Sequence, residues 1–209
     1  MLTQERINLN FSVWVEKLKK YDCFSQTMID ELGDKLRNAS YGLQEDCGAA
    51  YQGAMLHVVL NNLCVMAYHI NEFAFGKNEK GQYRHEALNV NYHMLMRVLL
   101  LQHISKAEMF VLQSNQWKAK NGYIYEFNPD IHTCMKCGER SIYLCMKYGI
   151  SLSEEEFEAM RVIDRDDDKS NPFYSPLCQL VKIANQMTNV ELRCMFEKQK
   201  NINEEKIED

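Results

Sequence analysis

The chain has 209 residues, enough for one domain with a proper hydrophobic core. Its 12 methionines, set against only 9 glycines and 3 prolines, favour long helices over many short strands. The formal net charge of −5 argues against sequence-independent nucleic-acid binding, which requires a basic surface. No apolar run approaches the roughly 20 residues that span a bilayer, so we expect no membrane partner either.

The eight cysteines bear on the cellular compartment. The N-terminal stretch "MLTQERINLNFSVW" has no basic start followed by an apolar block, and so predicts no secretion signal. We therefore expect a cytoplasmic protein, in which most cysteines are reduced and buried and disulfides are the exception.

The first third of the chain predicts helices around a central one. Residues 5–20 and 25–38 have the apolar spacing of short amphipathic helices, and the stretch 39–50 is a loop with two glycines. A helix from Tyr51 to His69 is apolar on most of its faces, which predicts a position in the middle of the domain.

The middle of the chain predicts one long helix and a hairpin. After a polar loop, apolar side chains recur at three- and four-residue steps from about Glu86 to Gln113, which predicts one long helix. The dipeptide Asn121-Gly122 favours a two-residue hairpin turn, and the following "YIYEF" is rich in residues that prefer strands. We predict a small β-hairpin here.

Capping signals mark the next two helices. Residues 138–148 predict a helix, and Gly149 suits its C-terminal cap. Ser153 and Glu156 have the spacing of a capping box, in which each side chain hydrogen-bonds the backbone of the other residue. A further helix therefore starts after Ser153.

The last part of the chain completes a mainly α fold. The acidic stretch Asp164 to Lys169 lacks the glycine and final glutamate of a calcium loop, so we interpret it as an exposed loop. A last helix is predicted from about Pro176 to Lys198. The charged residues 197–209 predict a disordered tail. The expected organisation is a single helical domain over 1–196 with a small β-hairpin.

Five segments follow one another along the chain: "GAAYQGAMLHVVLNN", "LLLQHISKAEMF", "WKAKNGYIYEF", "CGERSIYLCMKYGISLSEEEFEAMR" and "LVKIANQM". In this order they resemble the HD-domain superfamily of metal-dependent phosphohydrolases. They resemble more narrowly the HD-type proteins of bacteriophages and gut Bacteroidetes. The resemblance covers about residues 40–190 and implies an HD-like helical domain, in the cytoplasm of a bacterial host if the protein is phage-encoded.

The resemblance also implies that the metal ligands of the family are lost. An HD site holds a divalent metal through histidines and aspartates, and the metal activates water against a phosphate ester. We therefore expect no catalytic metal and no cofactor. The positions of the first histidine, the His-Asp pair, two later histidines and the final aspartate hold, in chain order, Val58, Gln102 and His103, Cys137 and Ile163, and Asn185.

Basic residues of the family do have counterparts in this chain. Lys106 matches a lysine that faces the phosphate in related nucleotidases, Arg140 stands where the family has a lysine, and Arg161 also matches. Guanidinium and ammonium groups pair well with phosphate oxygens. The first hypothesis is therefore a catalytically inactive HD-like module that binds a nucleotide, a phosphate or a partner protein. Its candidate surface comprises Gln102, His103, Lys106, Cys137, Arg140 and Arg161.

Two other functions stay open. One is an active metal-dependent nucleotide phosphohydrolase with rearranged ligands, drawn from His57, His69 or His103. The other is a purely structural or virion-associated protein, for instance a homo-oligomer, in which the polar residues of the helix end only satisfy each other.

The segment "HTCMKCGER" allows two more chemical interpretations. His132, Cys134 and Cys137 have part of the spacing of a zinc site, but Cys145 is an awkward fourth ligand. A Cys137 nucleophile activated by His103 is conceivable, although the sequence supplies no third group to orient it.

Overall fold

The computed structural model describes residues 2–82, 90–132, 134–164 and 174–208. The fold is mainly helical with one small antiparallel sheet, which confirms the predicted fold class. None of the described helices is both long and apolar enough to cross a membrane. The elements are α1 (Gln4–Lys20), α2 (Gln26–Asn38), α3 (Ala54–Val58), α4 (Cys64–Phe75), α5 (Tyr92–Leu101), α6 (Lys106–Met109), β1 (Phe110–Leu112), α7 (Gln116–Lys120), β2 (Tyr125–Phe127), α8 (Cys137–Lys147), α9 (Glu154–Arg161) and α10 (Pro176–Glu208).

The N-terminal helices follow the prediction closely. Thr3 and Ser25 cap α1 and α2, since each side-chain oxygen accepts a hydrogen bond from a backbone N–H of the first turn. The predicted helix from Tyr51 to His69 is present as α3 and α4, which are joined by a π-helical segment, Val59–Leu63, but it begins at Ala54 and ends at Phe75.

Helix α5 lies at the centre of the core. Every residue from Leu95 to Leu101 is buried, and most of them are apolar. Trp14 of α1 is fully buried and donates from its indole Nε1 to the carbonyl of Leu100 over 3.0 Å. Helices α1, α9 and α10 pack around α5, so its ends are fixed relative to the rest of the domain.

The predicted long helix from Glu86 to Gln113 is wrong in its second half. Residues 83–89 lie outside the described part, and α5 begins at Tyr92 and ends at Leu101. Residues 102–105 form a turn closed by hydrogen bonds between residues three apart. Contacts with α8 explain the break, because the N–H and hydroxyl of Ser105 bond to the Ser141 hydroxyl and the Cys137 carbonyl.

The predicted small sheet exists, but its turn differs from the prediction. Strands β1 and β2 pair antiparallel, with Phe110 opposite Phe127. A two-residue turn at Asn121-Gly122 does not connect them, because α7 lies in between and begins at the Asn115 cap. Strand β1 itself falls in the stretch for which we predicted helix.

The C-terminal half agrees with the capping signals. Gly149 follows α8 with a φ of 71°, and Ser153 and Glu156 form the expected capping box of α9. The acidic loop after Asp164 lies outside the described residues. Helix α10 continues to Glu208, whereas we predicted a disordered tail over 197–209. The tail is rich in the good helix formers Glu and Lys and holds no proline or glycine to end the helix.

Candidate functional site

A cavity of about 270 Å³ lies where four segments of the chain meet. We call it the Lys106 cavity. The segments are the 39–50 loop, the turn after α5 with the start of α6, the stretch after α9, and α10. The residues that line it are Tyr41, Gly42, Cys47, His103, Lys106, Ile163, Asp164, Asn185, Asn189 and Arg193.

Local structure positions each wall of the Lys106 cavity. The 39–50 loop is held closed because the N–H groups of Tyr41 and Gly42 both donate to the Ala49 carbonyl. On α10, Asn185, Asn189 and Arg193 are spaced four residues apart, which places them on one face of the helix.

Lys106 brings a buried cation to the Lys106 cavity. Its side-chain Nζ donates to the Tyr41 carbonyl over 2.6 Å and lies 3.6 Å from the centre of the Tyr41 ring. Among the described residues no carboxylate forms a salt bridge with this ammonium group. Burial lowers the pKa of Lys106 to about 8, opposed by the nearby Cys137, Asp164 and Cys47.

His103 is 5% exposed and lies beside Lys106 against the same tyrosine. Its ring is 5.1 Å from the Tyr41 ring, edge to face, and its Nε2 is 3.1 Å from Asn185 Oδ1. Burial and the Lys106 charge hold the pKa of His103 well below its usual range. The imidazole is therefore neutral at neutral pH.

Gln102 is completely buried and joins the same polar group. Its Oε1 accepts a hydrogen bond of 3.2 Å from Asn185 Nδ2, and its own Nε2 has no partner in the described chain. Gln102, His103 and Asn185 thus form one contact network. All three stand at positions that the HD resemblance equates with metal ligands.

The rim of the Lys106 cavity carries charges of both signs. Asp164 accepts hydrogen bonds from the Gly138 N–H over 2.6 Å at its carboxylate and from the Lys136 ammonium over 2.9 Å at its carbonyl. Arg193 is exposed on α10 at the opposite wall. The lining therefore carries two cations and one anion, a formal net charge of +1, and the anion is already bound to a backbone amide.

Four of the six predicted site residues do not line the cavity: Gln102, Cys137, Arg140 and Arg161. Arg140 binds Glu108 over 2.8 Å, and Arg161 is 48% exposed in its side chain, 3.9 Å from Glu139. Cys137 lies near Lys106 but does not line the cavity, and burial raises the pKa of its thiol. A neutral thiol is a poor nucleophile, and no hydrogen bond links Cys137 to His103 among the described residues, so the Cys137–His103 pair has no support.

The other histidines considered as metal ligands are dispersed. His57 lines a separate groove of about 560 Å³ and lies 3.2 Å from Asn61, while His69 is exposed on α4. No group of three or more metal-ligating side chains occurs among the described residues, which include His132, Cys134 and Cys137.

Sequence reasoning missed part of the lining. Tyr41, Cys47, Asp164, Asn189 and Arg193 were not among the candidates, although Asn189 and Arg193 follow Asn185 at four-residue steps. That spacing is a usable signal, since it extends a polar stripe along one helix face. No sequence pattern predicts that Tyr41 lines the cavity, because its position depends on the conformation of the 39–50 loop.

No family model, no curated protein and no solved structure matches this chain. The HD resemblance therefore stays a hypothesis that rests on the five sequence segments.

Proposed function

We propose that this protein is a non-catalytic binding module for a small phosphate-bearing ligand, held in the Lys106 cavity. The observation that carries the proposal is the buried ammonium group of Lys106, which donates to a carbonyl, lies over the Tyr41 ring and forms no salt bridge with a carboxylate among the described residues. Burying a charge without an ionic partner is costly, and an anion bound beside Lys106 would offset that cost.

The size and charge of the Lys106 cavity fit a small anion. Its volume of about 270 Å³ is at the lower limit for ligand pockets, which suits a free phosphate or a nucleoside monophosphate better than a dinucleotide. Lys106 lies on the inner wall and Arg193 on the rim, so a phosphate in the cavity has cations on two sides.

The HD resemblance supports the same proposal. If it holds, Gln102, His103 and Asn185 occupy the former metal site, and in this chain they hydrogen-bond each other. Side-chain amides and a histidine then take the place of the carboxylates that bind a divalent cation. The cavity would then keep the phosphate-facing lysine of the family without the carboxylates that hold its metal, so the module would bind without hydrolysing.

Ligand binding is tested by calorimetry and thermal shift with inorganic phosphate and nucleoside monophosphates. A ligand that binds only the folded state must raise the unfolding temperature. We expect Lys106→Met to weaken binding by tenfold or more, the usual cost of losing a charged partner. Lys118→Met removes the same charge from the exposed surface of α7 and should leave binding unchanged.

Two results would contradict the proposal. One is the absence of saturable binding for every phosphate compound up to 10 mM, a concentration about tenfold above a millimolar Kd. The other is equal binding by the wild type and Lys106→Met, which would place any bound phosphate elsewhere.

A further inference from the structure

Hydrogen bonds around Asn185 fix where the protons of His103 are. The Val181 carbonyl can only accept a hydrogen bond, and the Asn185 side chain approaches it to 2.8 Å, so the nearer atom must be the amide nitrogen Nδ2. The same Nδ2 also donates to Gln102 Oε1. Asn185 Oδ1 is thereby turned to His103, where it can act only as an acceptor.

The proton of the neutral imidazole consequently sits on Nε2. Since Oδ1 of Asn185 lies 3.1 Å from Nε2, this nitrogen must carry the hydrogen that bridges them. Nδ1 is then left as a bare lone pair. It is buried and has no hydrogen-bond partner among the described residues, and His103 is one of the residues that line the Lys106 cavity.

We propose that His103 makes the Lys106 cavity selective for oxyanions that carry a proton, so that phosphate binds and sulfate is rejected. This selectivity rests on the proposed function, since it concerns the same ligand in the same cavity. The bound phosphate accepts from the Lys106 ammonium and donates its P–OH to Nδ1 of His103.

The chemistry of the two anions makes the distinction clear. Inorganic phosphate retains at least one P–OH in both of its forms near pH 7, whereas sulfate has no proton to donate. A sulfate oxygen placed against Nδ1 brings two acceptors together in a buried site, which costs the full desolvation of both. Sulfate carries at least as much negative charge as phosphate, so Lys106 and Arg193 alone would not favour phosphate.

The deciding experiment measures the Kd of sodium phosphate and of sodium sulfate by calorimetry at pH 7 and matched ionic strength. We expect the wild type to bind phosphate at least about tenfold more tightly than sulfate, because a site built around a hydrogen bond rejects analogues that lack the donor. His103→Phe keeps a ring against Tyr41 but removes the acceptor, and His103→Gln offers an N–H donor. Either variant should bring the ratio of the two constants to within about threefold, mainly through tighter sulfate binding.

The outcomes separate this inference from the proposed function. Equal binding of phosphate and sulfate by the wild type overturns the selectivity and leaves the phosphate module standing. A tenfold preference for phosphate over sulfate that survives in the folded His103 variants also overturns it, because a group other than His103 would then distinguish the two anions. No phosphate binding at all overturns both.

Discussion

At the scale of single residues, Arg97 shows how this fold satisfies a buried charge. Its side chain, on the central helix α5, forms an ion pair with Glu156 and donates to the carbonyls of Tyr21, Asp22 and Ser151. The guanidinium group thereby joins the end of α1, the loop before α9 and α9 itself. Unlike Lys106, it has a partner for most of its donors.

Replacing Arg97 by Met should lower the free energy of unfolding by about 3–5 kcal/mol, because the buried Glu156 carboxylate loses its ion-pair partner and three carbonyls lose a donor. Urea unfolding followed by circular dichroism measures this change. Adding Glu156→Gln to the variant removes the unpaired charge and should recover part of the loss.

Arg6 provides the matched control for this prediction. It is exposed on α1, so Arg6→Met should change the stability by no more than about 0.5 kcal/mol. A loss below about 1 kcal/mol in the free energy of unfolding of Arg97→Met would contradict the role of Arg97 in linking α1 to α9.

At the scale of secondary structure, the sequence predicts a helix end correctly where residues a few positions apart fix it. The capping box of α9 is an example, since Ser153 Oγ accepts from the Glu156 N–H over 3.2 Å and Glu156 accepts from the Ser153 N–H over 2.8 Å. Both bonds involve residues three apart. The four residues from Ser153 to Glu156 are therefore enough to predict the start of α9.

Ser153→Ala should destabilise the protein by about 1 kcal/mol, because the Glu156 N–H in the first turn of α9 loses its acceptor. Thermal unfolding of the variant measures the loss. Ser153→Thr keeps the hydroxyl and should stay close to the wild type. Equal stabilities of the Ala and Thr variants would mean that the cap contributes nothing here.

Breaks inside a helix were not predictable in the same way. The stretch after Leu101 has continuous helical spacing of its apolar residues, yet the chain turns at residues 102–105. The partners of Ser105 that accompany the turn, Cys137 and Ser141, are more than 30 positions away in the sequence. Without α8 in place, nothing local opposes the continuation of α5.

At the scale of the whole molecule, the candidate site is a product of assembly. Its lining comes from residues between 41 and 193, and the aromatic and carbonyl groups that face Lys106 belong to a loop more than 60 positions earlier in the chain. Folding brings these segments together and buries the charged side chain of Lys106, which costs free energy. We therefore expect the site to lower the stability of the free protein.

Lys106→Met should raise the free energy of unfolding at pH 7 by about 1–3 kcal/mol. The folded-state pKa of about 8 lies below the unfolded value of about 10.4, so the unfolded state binds more protons between these values. Wild-type stability from this group therefore rises from pH 8 to pH 10, and the advantage of the variant should shrink over that window.

The measurement compares urea unfolding of the two proteins at each pH. The difference between the two proteins is used because buried thiols also titrate in this pH range and make the stability fall as the pH rises. Burial raises the pKa of Cys23 to about 12, for example, and this contribution is common to both proteins. Lys118→Met should show no pH-dependent difference from the wild type. A constant difference between Lys106→Met and the wild type from pH 7 to pH 10 would contradict a lowered Lys106 pKa.

The sequence by itself determined the helical class, the bounds of α1, α2 and α8, and the capping at Ser153 and Gly149, because these depend on composition and on contacts between residues a few positions apart. It also indicated His103, Lys106 and Asn185. Only the tertiary structure decided that Arg140 and Arg161 lie outside the cavity and that Tyr41 and Arg193 line it. The physical reason is that the solvation and pairing of a polar group depend on neighbours that folding, and not the chain order, brings into contact.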